Sequence, residues 1–440
     1  MQNLHLTQRF FIALGILIGL TGLCYALEFL LPLVQIFAMI VGVLTLTEVI
    51  SLFGQKNRFE VARETGKLFS LGDENPVVLT IRNAHSFRVN LSVYDELPVQ
   101  FQERDFQMNL SLSPREERKL RYNLRPLTRG EYAFHQVNLI ATSQIGLVAR
   151  RHRLGEKTIV PVYPSIIQMK KYELTAFARI STYEGIKKVR RLGHSYEFEK
   201  IKKYAEGDDI RSINWKATGR RNQLMVNQYE DERAQQVYSI IDKSRSMRMP
   251  FNGLSLLDYS INTSLVISNI ALKKHDKAGL ITFSNKIGST LKAEHSRNQL
   301  KKILNALYNE QEQPLEANYD LLYRAVKNVI KSRSLIFLYL NFESTYAMER
   351  ALPILKKINH LHVLVVMIFE NTELIEYSEK DVEFIQDIYT QTVAQKLIRE
   401  KKEMVNKLNK YGIQTILTRP EDLSINTVNK YLELKSRGMI

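Results

Sequence analysis

The hydrophobic rhythm of the chain changes twice. Residues 10–53 are almost continuously apolar, with Glu28 and Glu48 the only charged residues. A bilayer core takes about 20 apolar residues per helix, so this run is too long for one span and predicts two helices joined by a tight turn around residues 28–32. From about residue 58 to 164 short alternating segments follow, at 77–81, 91–94, 119–124 and 137–140. They are broken by turn chemistry at Gly72-Asp73-Glu74-Asn75-Pro76, Ser113-Pro114, Arg129-Gly130-Glu131 and Leu154-Gly155, which predicts a small β-sandwich. After Gln235 strand and helix patterns take turns. Strands fall at 237–241, 278–283, 335–340, 363–369 and 413–417, and helices at 256–272, 298–307, 319–330, 348–358, 392–411 and 423–434. That alternation predicts an α/β domain, a doubly wound parallel sheet with helices on both faces. The chain therefore divides into a transmembrane helical hairpin (1–55), a β-sandwich module (56–165), a polar basic connector (166–234) and the α/β domain (235–440).

Charge sets the orientation. Arg9 precedes the apolar run, Lys56, Arg58 and Arg63 follow it, and the predicted turn holds no Lys or Arg, so both ends face the cytoplasm by the positive-inside rule. The length of the run argues against a cleaved signal peptide. Residues 1–53 carry Arg9 against Glu28 and Glu48, so the formal net charge of +16 for the whole chain becomes +17 beyond them. A strongly basic domain tethered at a bilayer gains roughly 1 kcal/mol per well-placed Lys or Arg from anionic lipid. Nucleic acid is the rival partner, through Lys187-Lys188-Val189-Arg190-Arg191 and Arg220-Arg221, but the basic residues are scattered and no nucleic-acid motif occurs. The one cysteine, Cys24, excludes an intramolecular disulfide and a cysteine metal cluster.

The chemistry concentrates where the strand at 237–241 ends, in Asp242-Lys243-Ser244-Arg245-Ser246-Met247. Residues i, i+2 and i+4 of an extended segment point the same way, so Asp242, Ser244 and Ser246 can converge one carboxylate and two hydroxyls on one point. Hard oxygens of that kind suit Mg²⁺ or Mn²⁺ better than zinc or copper. The plain alternative is a strand end whose Asp or Ser caps the next helix. In open sheets of this class ligands bind outside the carboxyl ends of the strands, which favours the first reading.

The same residues carry a resemblance. The strand-Asp-x-Ser-x-Ser-helix start resembles a von Willebrand factor A domain with its metal-ion-dependent adhesion site. The whole chain resembles the domain-of-unknown-function family fifty-eight, bacterial membrane proteins with an N-terminal hairpin, a β-rich module and such a domain. That match rests on Arg129-Gly130-Glu131-Tyr132, Gly146-Leu147, Val162-Tyr163-Pro164, the long block from Glu206 through Gly207, Asp208, Arg211 and Trp215 to Thr218, and the Asp242 triplet. It implies a Rossmann-like fold whose metal shell is completed by a threonine and a second aspartate. Here the threonine position falls at Asn318 or Tyr319 and the aspartate position at Asn341, so Asp242 is the main anionic ligand unless Asp320 or Glu343 turns inward. It also implies a non-enzymatic scaffold in the bacterial inner membrane that docks a protein partner, a MoxR-type AAA+ ATPase or its client.

Two other functions compete. In a Mg-dependent phosphoryl-transfer enzyme Asp242 would be the nucleophile, but that scheme wants a second carboxylate two residues on, where Ser244 stands. The chain also lacks a phosphate-binding Gly-x-x-x-x-Gly-Lys-Ser/Thr loop, a His-Glu-x-x-His helix and a Gly-x-Ser-x-Gly elbow. A nucleic-acid-binding membrane protein is the other. In the connector, alternation at 210–215, if extended, puts Ile213 and Trp215 on one face beside Arg211, and a folded, charge-paired surface is the plain reading.

Overall fold

Strands that are apolar on both faces need cover on both sides, and that requirement organises the C-terminal half of the protein. The computed structural model describes residues 3–24, 27–54, 59–103, 106–173, 197–206, 208, 210–230, 234–379 and 385–439. The Lys187 to Arg191 cluster and Gly207 lie outside them. Two compact units form, Met1–Ser165 and Ile166–Ile440.

In the first unit the Leu31–Phe53 helix has 23 residues and a mean hydropathy of 2.3. Among the described residues it is the one helix long and apolar enough to cross a membrane. The Gln8–Cys24 helix, 17 residues long, packs against it. The β-rich part has an antiparallel sheet in the order Leu4–Leu6, Val148–Leu154, Val137–Thr142, Val89–Asp95 and Gln107–Leu112. A second sheet, Phe59–Thr65, Asn75–Asn83 and Glu117–Leu124, shares one apolar core with it through Phe59, Leu79 and Ile81 against Leu91, Val93 and Leu139. A small third sheet joins Phe69–Ser70, Thr158–Tyr163 and Gly130–Phe134.

A buried carboxylate ties the apolar helices to this module. Glu48, near the end of the Leu31–Phe53 helix, is 2% exposed. It accepts hydrogen bonds from the backbone N–H groups of Gly146 (3.0 Å), Leu147 (2.8 Å) and Val148 (3.1 Å) and from the Ser143 hydroxyl (2.5 Å). Gly146 has φ +73°, which turns successive N–H groups toward one anion, and a Cβ there would sit 3.2 Å from the Arg9 guanidinium. Arg150 donates to the Leu52 carbonyl and lies 4.6 Å from the centre of the Phe53 ring. This gives Gly146-Leu147 a physical role that the pattern of the sequence does not reveal.

In the second unit six strands form one sheet: β1 (Gln236–Asp242), β2 (Lys277–Phe283), β3 (Ile287–Glu294), β4 (Leu335–Tyr339), β5 (Val363–Phe369) and β6 (Gln414–Thr418). Their order is β3-β2-β1-β4-β5-β6, parallel except for β3, which runs antiparallel to β2 at the edge. Alternate residues serve opposite cores. Val237, Ile241, Phe337 and Val365 face the Leu256–Lys273 and Leu423–Ser436 helices, while Ile240, Leu338 and Val366 face the Tyr319–Val329 and Thr345–Leu361 helices. Strand β3 is absent from the sequence reading because Ser289 and Ala293 occupy two of its four inward positions, too weakly apolar to stand out. The Thr372–Glu379 helix is also unforeseen.

The connector contains more structure than its composition suggests. Ile166, Met169 and Tyr172, at helical spacing, pack on the core of the α/β unit. Farther on, Glu197–Lys203 pairs antiparallel with Met225–Glu230. The extended segment expected at 210–215 is instead a 3-10 turn, Ile210–Ser212, followed by a helix, Trp215–Arg221. Asn214 starts that helix by accepting from Ala217 N (3.0 Å), and this cap overrides the alternation.

Replacing Glu48 by Ala leaves three backbone donors unsatisfied. Hydrogen bonds to a charged group contribute roughly 1.5–3 kcal/mol each and are not additive, so a loss of about 3 kcal/mol is expected, with Glu48→Gln intermediate. Thermal unfolding of the detergent-solubilised protein measures this, and a midpoint equal to wild type would remove Glu48 as an anchor.

Candidate functional site

The strand order reverses between β1 and β4, the neighbours from which the sheet is wound in opposite directions, and in open sheets of this kind the ligand crevice lies outside the carboxyl ends of the strands at that point. Asp242 is the last residue of β1, and Asn341 lies two residues past the end of β4. Topology therefore brings together two of the residues picked from the sequence.

Asp242 is 1% exposed. Its Oδ1 accepts from Ser244 N (2.8 Å), while Oδ2 is buried and makes no hydrogen bond. The Ser244 and Ser246 hydroxyls lie 3.1 Å apart, bonded to each other. Burial pushes the Asp242 carboxyl up to about 6, and the Ser244 N–H and the two nearby hydroxyls offset part of that rise. A full charge here faces a low-dielectric surround with one oxygen unserved.

The surrounding charges are compensated. Lys243 Nζ lies 2.7 Å from Glu310 Oε2, and Glu310 also accepts from Thr282 Oγ1 (2.7 Å) and Ser289 N (3.1 Å). Burial raises the Glu310 carboxyl, but the bonds from Lys243, Ser289 and Thr282 outweigh it and hold the group below its ordinary value. Backbone bonds from Gln313 N to Lys243 O (2.8 Å) and from Arg245 N to Leu315 O (3.1 Å) lay the 310–316 loop along the Asp-x-Ser-x-Ser segment. Arg245 reaches Glu316 and Glu343 at the exposed rim.

Other predicted positions differ in what they offer. Asn318 caps the Tyr319–Val329 helix, its Oδ1 accepting from Leu321 N (3.0 Å). Tyr319 is half-buried, its ring against Phe283 and Phe342. Burial first, then the Asp242 charge, push its hydroxyl well up. Asp320 is exposed in the first turn of that helix. Asn341 donates through Nδ2 to Ser246 O (3.2 Å), and its Oδ1 accepts from Lys401 Nζ (2.6 Å), which also donates to Phe342 O (2.7 Å). Lys401, on the Ile385–Lys410 helix, is a participant the sequence reading missed. It sits 60 positions from Asn341 in a helix rich in lysine, so no local signal marks it. Burial lowers its ammonium to about 8, opposed by Glu343. Beside it opens a cavity of about 200 Å³ lined by Phe342, Phe369, Leu374, Leu397 and Met404.

The donor set fits a divalent cation in part. Asp242 Oδ2 and two hydroxyls are available, Asn341 Oδ1 is already engaged by an ammonium, and no group of three His, Cys, Asp or Glu is placed to hold a metal among the described residues.

The family model described as "Protein of unknown function DUF58" matches residues 200–378. That stretch contains Asp208, Trp215, the Asp242 triplet, Asn318 and Asn341, and it stops short of Lys401. The chain is also similar to the uncharacterized protein YeaD of Bacillus subtilis (strain 168), 26% identical over 125 residues, which is 28% of this chain. The match spans 31% of that relative's length. Among solved structures it is similar to the conserved hypothetical protein BatB from Bacteroides thetaiotaomicron, at 13% identity over 44% of this chain and 99% of that one, TM-score 0.30. A CARDB domain from Pyrococcus furiosus matches at 16% identity over 24% of this chain and 97% of that one, TM-score 0.17.

The remaining signature residues lie in the 197–230 segment. Asp208 accepts from Lys202 Nζ (2.6 Å) and Ala205 N (2.9 Å), and these bonds, Lys202 first, hold its carboxyl low. Arg211 and Trp215 are exposed.

The raised Asp242 carboxyl gives a stability signature. It binds its proton more tightly folded than unfolded, so the unfolded state gains as pH rises, and stability falls across the window from 3.8 to about 6. Above that window the cost is about 3 kcal/mol, from 1.36 kcal/mol per pKa unit. Asp242→Asn should be more stable than wild type near pH 7 without metal and should match it near pH 4. Denaturant titrations at both values check this, and a variant less stable than wild type near pH 7 would contradict it.

Proposed function

We propose that this protein is a membrane-anchored, non-enzymatic scaffold whose α/β domain, read as von Willebrand factor A-like, docks a protein partner at the Asp242 crevice. The observation that carries this reading is Asp242 Oδ2, a buried carboxylate oxygen without a partner at the switch point of the sheet. A buried oxygen in that condition is where an incoming ligand gains most. Asp242, Ser244 and Ser246 would hold Mg²⁺ or Mn²⁺, and the cation would leave a position for a carboxylate of the partner. The adjacent cavity favours a segment that carries an apolar side chain next to its acidic one. A MoxR-type AAA+ ATPase, or its client, is the partner class proposed. The membrane reading adds two spans with both ends cytoplasmic, an orientation that rests on Arg9 before the apolar run and Lys56, Arg58 and Arg63 after it.

A second reading is favoured by the Lys401 bond to Asn341: the crevice docks its partner without metal, with the ammonium as its fixed cation. Calorimetric titration of Mg²⁺ and Mn²⁺ into the detergent-solubilised protein separates the two. Saturable binding lost in Asp242→Ala supports the metal-bridged form, and heats indifferent to that substitution exclude it. Lys401→Met frees Asn341 Oδ1 and is expected to tighten Mg²⁺ binding by roughly tenfold, the effect of about 1.4 kcal/mol from one added neutral oxygen and one removed cation. Unchanged affinity in that variant would show that Lys401 does not compete for the site.

A further inference from the structure

The 197–230 segment carries a surface that the crevice does not use. Its inner side is filled: Met225 and Val226 are buried, Asn214 N donates to Met225 O (2.8 Å), and Met225 N donates to Thr218 Oγ1 (3.0 Å). Three apolar side chains on it are left in water, with Ile210 70%, Trp215 71% and Leu224 46% exposed. A hydrogen-bonded turn that holds a tryptophan and an isoleucine in water presents them for contact, since its inner face already packs other residues. Lys216, Arg220 and Arg221 are exposed on the same short helix, and none of them forms an ion pair among the described residues.

We propose that this turn docks on an anionic bilayer surface, with Trp215 and Ile210 entering the headgroup boundary and Lys216, Arg220 and Arg221 facing the lipid phosphates. Tryptophan concentrates at membrane interfaces because its ring is apolar and its indole N–H is not. Apolar side chains flanked by lysine and arginine are the chemistry of interfacial insertion, and an anionic leaflet attracts such charges within a Debye length. A bilayer is at hand, because the same chain holds a helix apolar and long enough to cross one. The excess of Lys and Arg over Asp and Glu, 62 against 46, favours a lipid surface of opposite sign over a neutral one.

The chain has a single tryptophan, so its emission reports this turn alone. The full-length protein is reconstituted into vesicles of phosphatidylcholine, with or without phosphatidylglycerol, each containing brominated phosphatidylcholine as quencher. The expected result is a blue shift and loss of intensity in the phosphatidylglycerol vesicles, absent in phosphatidylcholine alone. High salt on the wild type and the K216E/R220E/R221E variant should each reverse the change, and the salt arm stands even if the variant folds poorly. A water-exposed emission that neither lipid alters overturns the proposal. An emission already blue-shifted in detergent and indifferent to lipid overturns it in favour of a protein surface covering the turn.

Discussion

A parallel sheet covered by helices on both faces can present polar chemistry only at its ends, and this constraint places the chemistry-bearing residues of the α/β sheet at the carboxyl ends of its strands. Along β1 the residues from Val237 to Ile241 are buried between two helical layers, and the first ionisable side chain after them is Asp242. The reversal of strand order beside β1 sets Asp242 at the switch point of the sheet. The end of β2, the 310–316 loop and the loop after β4 then meet the Asp-x-Ser-x-Ser segment, as the backbone bonds to Phe283 O and Leu315 O and the Asn341 bond to Ser246 O show.

Two buried carboxylates illustrate how the count of hydrogen bonds separates architecture from function. Glu48 receives four donors, shared between both of its oxygens, and the result is an anchor that joins an apolar helix to the turn before the Val148–Leu154 strand. Asp242 accepts one backbone N–H on Oδ1 with the Ser244 and Ser246 hydroxyls nearby, and its Oδ2 makes no hydrogen bond. Desolvation of a charge is tolerated when donors replace water and is costly when they do not. The first carboxylate is complete within the protein, whereas the second keeps one oxygen without a partner.

The neighbours of Asp242 sharpen that contrast. Lys243 points away to Glu310, so the nearest lysine in sequence does not neutralise the aspartate. Lys401 arrives from a distant helix and takes the oxygen of Asn341 in place of Asp242. The crevice thus holds one underserved carboxylate beside one well-served ammonium, next to an apolar cavity.

The residues alone determined a good deal of this. The two-sided apolar runs of β1, β4 and β5, the alternation in the β-module and the unbroken apolar stretch at the N-terminus follow from side-chain burial, which is written locally in the period of the pattern. The Asp242, Ser244 and Ser246 triplet is legible for the same reason, being set by spacing within one segment. What only the tertiary structure decided is every relation between segments distant in sequence: the edge strand β3, the capture of Asn341 by Lys401, the pairing of Lys243 with Glu310 and the seat of Glu48 on Gly146 to Val148. Each depends on which element lies beside which, and a hydrogen bond between residues 60 or 100 positions apart leaves no periodicity in either of the segments that form it.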